Sequence, residues 1–357
     1  FEKHDGTTYK LSVSTVYTDE TEEKYIVVVI TNLTELFKVN EAFKRYTSEE
    51  IAEFVLHTPE GEKQGGTSMD VSILMSDLRG FTAMSTKMSP DGLVTVLNHY
   101  FAQMSAIIKR YHGTVIEFLG DGIFVVFGAP KPHEAHPADA VRCAIEMQNA
   151  MEEVNAWNEE NGYPPLSMGI AINSGEAVVG NIGSDARMKY GCMGETVNMA
   201  GRIESLSVGG QVLISESTKK RIAGELAIRD VLNFMAKGAK EEIPVYDIAG
   251  IGDSRLQSAD KEILWQKTES SVPVTFRLLE GKAVVSEPLP GTITKMSEDH
   301  SHSILRTETQ LKKLTNIVLD IGGDLYGKVT DETEAGYVIC FTAKPDSFEA
   351  WCQTGGF

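Results

Sequence analysis

Residues 113–127 read GTVIEFLGDGIFVVF, a largely apolar run that contains two carboxylates, Glu117 and Asp121. Two short apolar stretches joined by a tight turn with two glycines predict a β-hairpin, with Asp121 at its tip. Residues 115, 117 and 119 would share one face of the first strand, and residues 116 and 118 would share the other. Glu117 would then lie in a strand that is apolar on both faces, where burial of a carboxylate without a partner is costly.

Strands and helices alternate on both sides of this hairpin, from about Val71 to Ile248. The order strand, helix, hairpin, helix, strand predicts the α+β class, with a ferredoxin-like sandwich as its architecture. The expected strands are 71–75, 113–119, 123–127, 166–172, 177–182 and 211–214, and the expected helices are 90–111, 136–158 and 195–206.

The regions that flank this core have different patterns. After residue 250, short strands separated by turn signals predict a small all-β C-terminal domain, either a barrel or a sandwich. Its expected strands are 272–279, 291–295, 314–319, 325–329 and 337–342. Before the core, the two predicted strands 9–16 and 24–30 are too few to be stable alone, so we expect them to end a domain of a longer protein. The predicted domains are therefore 1–33 (the end of that domain), 34–66 (a helical linker), 67–250 (the α+β core), 251–271 (a linker) and 272–357 (the small β domain).

The predicted helical linker carries an apolar stripe at Leu36, Val39 and Phe43. Thr47 and Glu50 have the spacing of a capping box, which predicts that a second helix starts there. A pair of surface helices and a dimer-forming relay explain this pattern equally well.

Charge and composition exclude several classes of protein. The 33 Lys and Arg residues face 51 Asp and Glu residues, which gives a net charge of −18 and argues against a nucleic-acid partner. No run approaches the roughly 18 to 20 apolar residues of a membrane helix. The four cysteines show neither C-x-x-C spacing nor an evident disulfide framework, and this pattern fits thiols that are kept reduced in a cytosol. These features favour a cytoplasmic location, with a membrane tether in upstream sequence left open.

Two aspartates stand at predicted strand ends. Asp77 follows the first apolar strand of the core, and Asp121 lies in the hairpin turn. Neighbouring strands of one sheet would bring the two carboxylates together, which is costly unless a cation neutralises them. Hard oxygen ligands favour Mg²⁺ or Mn²⁺. The spacing alone leaves open that these are two unrelated turn residues.

A second group of polar residues lies in GETVNMAGRIES, residues 194–205. Asn198 and Arg202 are four apart and would share one helix face, where an amide and a guanidinium suit phosphate or ribose oxygens. An ordinary polar helix face stays open as the alternative. Neither a P-loop motif nor a dinucleotide-binding glycine motif occurs in the chain.

Three stretches together resemble the catalytic domain of class III adenylate and guanylate cyclases: MSDLRGFT (75–82), EFLGDGIFVVFGAP (117–130) and GETVNMAGRIES (194–205). The resemblance implies that a ribose 3′-oxygen attacks the α-phosphorus of a purine nucleoside triphosphate, with a 3′,5′-cyclic nucleotide and pyrophosphate as products. It also implies two Mg²⁺ or Mn²⁺ ions per site and a homodimer whose two sites each combine residues from both protomers.

The same resemblance assigns roles to residues. Asp77 and Asp121 match the metal-binding aspartates, Asn198 would orient the ribose, and Arg202 would stabilise charge on the α-phosphoryl group. The phosphates would be contacted by backbone N–H groups after the first aspartate and by a lysine near the end of the domain, at Leu78, Gly80, Phe81, Thr82 and Lys237.

Two positions are expected to read the base. Glu117 matches a position that is commonly Glu in guanylate cyclases and Lys in adenylate cyclases, and a carboxylate can accept the N1–H and amine of guanine. Gly191 matches a second position, where it supplies no side-chain partner. We therefore expect GTP to be preferred slightly. An adenylate cyclase with an unusual base pocket is the first alternative, and a non-catalytic dimer module is the second.

The flanking regions carry looser resemblances. Residues 25–35 resemble the last strand and exit of a PAS sensor domain, and residues 272–357 resemble a PilZ-type barrel. Of the PilZ motifs only Asp299 and Ser301 are echoed, so we expect a structural or regulatory domain without a cyclic dinucleotide. His300 and His302 are expected to lie in a solvated turn.

Overall fold

The computed structural model describes residues 7–17, 24–235, 241–257, 263–266, 271–280 and 283–355. The chain divides into two compact units, one formed by residues 1–65 with 181–190 and the other by residues 66–180 with 191–357. In the described part of the chain, no helix has both the length and the apolar character needed to cross a bilayer.

The smaller unit begins with an antiparallel hairpin of β1 (Tyr9–Tyr17) and β2 (Lys24–Asn32). Helices α1 (Thr34–Thr47) and α2 (Glu49–His57) follow. The hydroxyl of Ser48 accepts the N–H of Ile51 at 3.4 Å and caps α2. The predicted capping box at Thr47 is therefore wrong, because Thr47 ends α1 and its hydroxyl donates to the carbonyl of Phe43.

The larger unit contains the C-terminal barrel and the α+β core apart from residues 181–190 of its sheet, and this architecture confirms the predicted fold class. The core sheet has the order β11-β10-β8-β6-β3-β5-β4, while β7 pairs with β6 and β9 pairs with β10. Its strands are β3 (Gly65–Leu78), β4 (Gly113–Leu119), β5 (Gly122–Phe127), β6 (Met168–Ser184), β7 (Arg187–Met193), β8 (Val212–Ser215), β9 (Leu226–Phe234), β10 (Ile243–Ile251) and β11 (Ser254–Arg255). The two strands predicted at 166–172 and 177–182 form the single strand β6.

Helices cover this sheet. They are α3 (Phe81–Ser85), α4 (Pro90–Arg110), α5 (His136–Glu160), α6 (Glu195–Glu204) and α7 (Glu216–Arg221). Ser89 caps α4 by accepting the N–H of Gly92, and Pro90 occupies the first turn, where its missing N–H is harmless. The apolar faces of α4 and α5 share the main core cluster with the sheet. Ile203 of α6 belongs to a separate cluster, with Ala171, Leu213, Leu232 and Val245.

The C-terminal domain is a closed barrel. Six of its strands form a ring in which β12 pairs with both β14 and β16, so the described part of this sheet closes on itself. Its elements are β12 (Val272–Glu280), β13 (Ala283–Val284), β14 (Leu289–Met296), β15 (His302–Arg306), β16 (Asn316–Asp320), β17 (Asp324–Thr333), β18 (Gly336–Ala343) and α8 (Phe348–Gly355). His302 is half-buried and begins β15, opposite Cys340, so its predicted place in a solvated turn is wrong.

Candidate active site

The register of the core sheet brings Asp77 and Asp121 to one end of neighbouring strands. Ser76 of β3 pairs with Ile123 of β5, and Asp77 directly follows Ser76. Asp121 occupies the turn between β4 and β5. A side chain at Gly122 would place its Cβ 2.8 Å from the carbonyl oxygen of Ser76 and 3.5 Å from Oδ1 of Asp77. Glycine is therefore required for the hairpin turn to approach the end of β3 this closely.

The electrostatics of this end of the sheet favour a cation. Burial, and next the neighbouring carboxylate of Asp77, raise the pKa of Asp121 above its usual value, although Asp121 accepts the backbone N–H of Leu78. Two half-buried carboxylates that repel each other are stabilised by a divalent ion. No cluster of three or more His, Cys, Asp or Glu side chains suited to a metal occurs among the described residues. A pair of carboxylates fits Mg²⁺, which usually takes its remaining ligands from water and phosphates.

The segment after Asp77 turns sharply into α3. Gly80 adopts a left-handed conformation, with φ of 71°, directly before this helix. The backbone N–H of Arg79 donates to the carbonyl oxygen of Ser167 at 2.7 Å, and the N–H of Leu78 is directed to Asp121. Leu78 is one of the predicted phosphate-binding positions, and its N–H is therefore directed to Asp121 instead of to a ligand. The other predicted positions with backbone N–H groups, Gly80, Phe81 and Thr82, lie at the start of α3.

The side chain of Arg79 connects the aspartate end of β3 with the end of α6. Its Nη1 lies 3.5 Å from Oδ2 of Asp77. Its Nη2 pairs with the carboxylate of Glu204, and it donates to the carbonyl of Glu204 at 3.1 Å and to Oγ of Ser207 at 2.7 Å. The sequence interpretation missed this residue, although it lies within the quoted motif, because Glu204 and Ser207 are more than 120 positions away.

Asn198 and Arg202 lie together on the exposed face of α6, as their spacing predicts. The opposite face is buried through Thr196, Ala200 and Ile203. The hydroxyl of Thr196 donates to the carbonyl of Glu176, and the side chain of Asn173 donates to the carbonyl of Thr196, which fixes the first turn of the helix. In the single chain, the amide of Asn198 and the guanidinium of Arg202 are therefore both exposed to solvent on one face of α6.

The predicted base-reading positions lie on two strands. Glu117 is exposed on β4, as are Phe118 and Leu119, which follow it. A register shift between Val115 and Glu117 breaks the expected alternation of faces, and from Glu117 onward both faces of this edge strand are exposed. Gly191 is half-buried in β7, next to Cys192, whose pKa burial raises to about 12. Lys237 lies outside the described residues.

Comparisons with known proteins agree on the α+β core. Residues 64–250 match the family described as the adenylate and guanylate cyclase catalytic domain. Adenylate cyclase 1 of Rhizobium meliloti is 29% identical over 236 residues, 62% of this chain and 35% of that protein. Adenylate cyclase of Anabaena cylindrica is 29% identical over 226 residues, 60% of this chain and 44% of that protein. The chain thus spans less than half the length of these two curated relatives.

Solved structures show the same similarity. The guanylyl cyclase Cya2 has 44% sequence identity and a TM-score of 0.53, and the match covers 54% of this chain and 100% of that chain. The adenylyl cyclase CyaB from P. aeruginosa has 31% identity and a TM-score of 0.50, with coverage of 53% and 98%. Relatives with either purine specificity therefore share this fold.

Proposed function

The chain belongs to the adenylate and guanylate cyclase family, and on that premise we propose that it converts a purine nucleoside triphosphate to a 3′,5′-cyclic nucleotide and pyrophosphate. The observation that carries the proposal is the pair of half-buried carboxylates, Asp77 and Asp121, at the ends of adjoining strands. Their mutual repulsion is the electrostatic condition for binding divalent ions, which this family generally uses.

The residues of this chain would divide the work by chemistry. Asp77 and Asp121 would hold two Mg²⁺ or Mn²⁺ ions, which supply positive charge to the triphosphate and promote ionisation of the ribose 3′-hydroxyl. Backbone N–H groups of Gly80, Phe81 and Thr82 would bind phosphate oxygens, and Lys237 stays a predicted phosphate contact.

The side chains on α6 would act on the ribose and the reacting phosphate. The amide of Asn198 would orient the ribose, so that its 3′-oxygen lies in line with the α-phosphorus. The guanidinium of Arg202 would donate to the α-phosphoryl oxygens, where negative charge increases in the transition state.

We propose that the active form is a homodimer with two composite sites. Asn198 and Arg202 are exposed on α6 in the single chain, while the aspartate pair lies at the ends of strands. In a symmetric dimer, the α6 face of each protomer would complete the aspartate pair of its partner. The isolated chain would then be inactive.

GTP is the proposed preferred substrate. Glu117 supplies a carboxylate that can accept the donors on the guanine edge, and the chain is 44% identical to a protein named as a guanylyl cyclase. Activity on ATP is the alternative, because the curated relatives at 29% identity and the solved structure at 31% identity are named as adenylate or adenylyl cyclases. Because Gly191 offers no side chain to the base, we expect the selectivity for GTP over ATP to be small.

The remaining predictions concern regulation. The PAS-like resemblance of residues 25–35, the PilZ-like resemblance of the barrel and the cytoplasmic location stay predictions. A non-catalytic dimer module stays the third functional reading, and the presence of Asp77, Asp121, Asn198 and Arg202 in one chain argues against it.

The test is direct. The full chain is incubated with GTP or ATP, each with Mn²⁺ or Mg²⁺, and cyclic nucleotide and pyrophosphate are measured together. We expect both products in equal amounts, with GTP turned over faster than ATP. The absence of cyclic product from both substrates, at protein concentrations where dimers form, would contradict the proposed activity.

A further inference from the structure

The barrel contributes a buried lysine to the end of the helix that carries Asn198 and Arg202. Lys328 on β17 is 4% exposed. Its Nζ donates to the carbonyl oxygens of Ser205 at 2.9 Å, Leu206 at 2.7 Å and Ser207 at 3.4 Å, directly after the last turn of α6. The three protons of one ammonium group thus satisfy three carbonyls that lie beyond the helix.

A second contact from the barrel reaches the same helix. Leu314 packs against the apolar cluster that contains Ile203 of α6, and Met199 and Leu206 pack against the same cluster. The backbone N–H of Leu314 donates to the carbonyl of Val329 at 2.8 Å. Since Val329 directly follows Lys328, this hydrogen bond places Leu314 close to Lys328 in the barrel. The same patch of the barrel therefore makes polar contacts at the end of α6 and an apolar contact with the cluster that contains Ile203.

The charges at this helix end are complementary. The C-terminal end of a helix is partially negative, and Lys328 and Arg79 bring two cations to it. The carboxylate of Glu204 balances them, since it pairs with Arg79 and attracts Lys328. Burying a lysine this deeply costs free energy, and it is tolerated here because every proton of the ammonium group has an acceptor.

We propose that Lys328 is a positioning residue for catalysis: it fixes the end of α6, and thereby the angle at which Asn198 and Arg202 meet the nucleotide. This inference rests on the proposed cyclase function for the roles of those two side chains. Arg202 lies only three residues before Ser205, the first carbonyl that Lys328 binds. The barrel is then a structural requirement for a fast cyclase, and not only an attached domain.

A matched control exists in the same two domains. Lys313, also from the barrel, donates to Oδ2 of Asp230 on β9 at 2.6 Å. It is more exposed than Lys328, and its partner lies on β9 and not on α6. Lys313→Met therefore removes a contact between barrel and core without removing a bond to the catalytic helix.

The experiment compares Lys328→Met, Lys328→Arg and Lys313→Met in the full chain. We expect Lys328→Met to lower kcat by about tenfold to a hundredfold, because small displacements of positioned groups have effects of that size. The metal concentration for half-maximal activity should stay unchanged, since the pairing of β3 with β5 sets the positions of Asp77 and Asp121. Lys328→Arg, which keeps charge and donors, should recover part of kcat, and Lys313→Met should stay within about twofold of the unaltered protein.

A double-mutant cycle separates positioning from general stability. With Arg202→Ala already present, Lys328→Met should lower the residual kcat by less than about threefold, because the part of its effect that is transmitted through Arg202 is lost and only the part through Asn198 remains. An equal loss in both backgrounds would overturn the inference, as would a Lys328→Met variant that is as active as Lys313→Met. If Lys328→Met does not fold, Lys328→Gln, which keeps one donor group, is compared in the same way.

Amide hydrogen exchange gives a readout that does not depend on activity. Lys328→Met should increase exchange within residues 195–207, and Lys313→Met should not. If the unaltered protein makes no cyclic nucleotide but the two variants differ in exchange as expected, the proposed function is contradicted. The inference that Lys328 fixes the end of α6 is then still supported. Unchanged exchange in α6 would overturn the inference whatever the activity.

Discussion

The two halves of the proposed active site differ in how the fold holds them. Asp77 and Asp121 lie on short connections at strand ends, and the pairing of β3 with β5 sets their separation. Asn198 and Arg202 project from the exposed face of one helix, and the position of that helix depends on Arg79 and on Lys328 from the barrel. The first half is fixed by local sheet register, whereas the second half depends on contacts between distant parts of the chain.

This difference has a functional consequence. Asp77 and Asp121 both come from one chain, and the repulsion between their carboxylates would be relieved by the proposed divalent ions. Asn198 and Arg202, by contrast, are placed correctly only if Arg79 and Lys328 hold α6 in position. We therefore expect changes in the first half to act on metal-dependent chemistry, and changes around α6 to act on the rate through geometry.

The largest effect is expected from Asp121→Asn. Loss of one metal-binding carboxylate should reduce turnover at least about a thousandfold, because the ions contribute several kcal/mol to the transition state. The free energy of unfolding without metal should not fall, since the substitution removes repulsion between two half-buried carboxylates. Asp70→Asn, on β3 seven residues before Asp77 and 53% exposed, is the control and should keep nearly full activity. A destabilised Asp121→Asn protein would contradict the electrostatic account.

A smaller effect is expected at the base-reading position. Glu117→Lys should change the ratio of GTP to ATP turnover by about tenfold toward ATP, the worth of one hydrogen bond of mismatched polarity. The measurement is kcat/KM for both nucleotides. Glu153→Lys, an exposed position on α5, makes the same charge change away from the site and should leave the ratio unaltered. An unchanged ratio in Glu117→Lys would show that this side chain does not read the base.

The smallest effect concerns the pH dependence of stability. Burial lowers the pKa of Lys328 to about 8 in the folded chain, from an ordinary value of 10.5. Between these two values the unfolded chain binds the proton more strongly, so stability should rise with pH relative to Lys328→Met. Urea unfolding at pH 7 and pH 10 should show a relative gain of about 1 to 3 kcal/mol. A constant difference between the two proteins would show that Lys328 is not desolvated as the fold indicates.

The sequence was sufficient to predict what local pattern controls. The hairpin with Asp121 at its tip, the shared face of Asn198 and Arg202, and the α+β class all follow from periods of two or four residues, which folding preserves. The environment of Glu117 could not be predicted, because the register shift between Val115 and Glu117 and the exposure of both faces at this end of β4 leave no trace in a mostly apolar strand. A bulge depends on the partner strand, which the alternation of one strand cannot reveal.

Arg79, His302 and Lys328 could not be assigned for a related reason. Each looks like an ordinary polar residue in its own segment, and each acquires its role from a partner brought close by folding. Lys328 finds its acceptors more than 120 residues earlier in the chain. The local signal is a lysine within the predicted strand 325–329, and it does not reveal what the lysine contacts.

The central claim is that one chain carries two complementary halves and that two chains complete each site. It is tested most directly by mixing Asp77→Asn and Arg202→Ala proteins, each of which should keep only residual turnover alone, after unfolding and refolding them together. Equal mixing should return about a quarter of the unaltered activity, because half of the dimers would be mixed and each would have one complete site. A mixture that stays as inactive as its two components, although mixed dimers form, would contradict the claim.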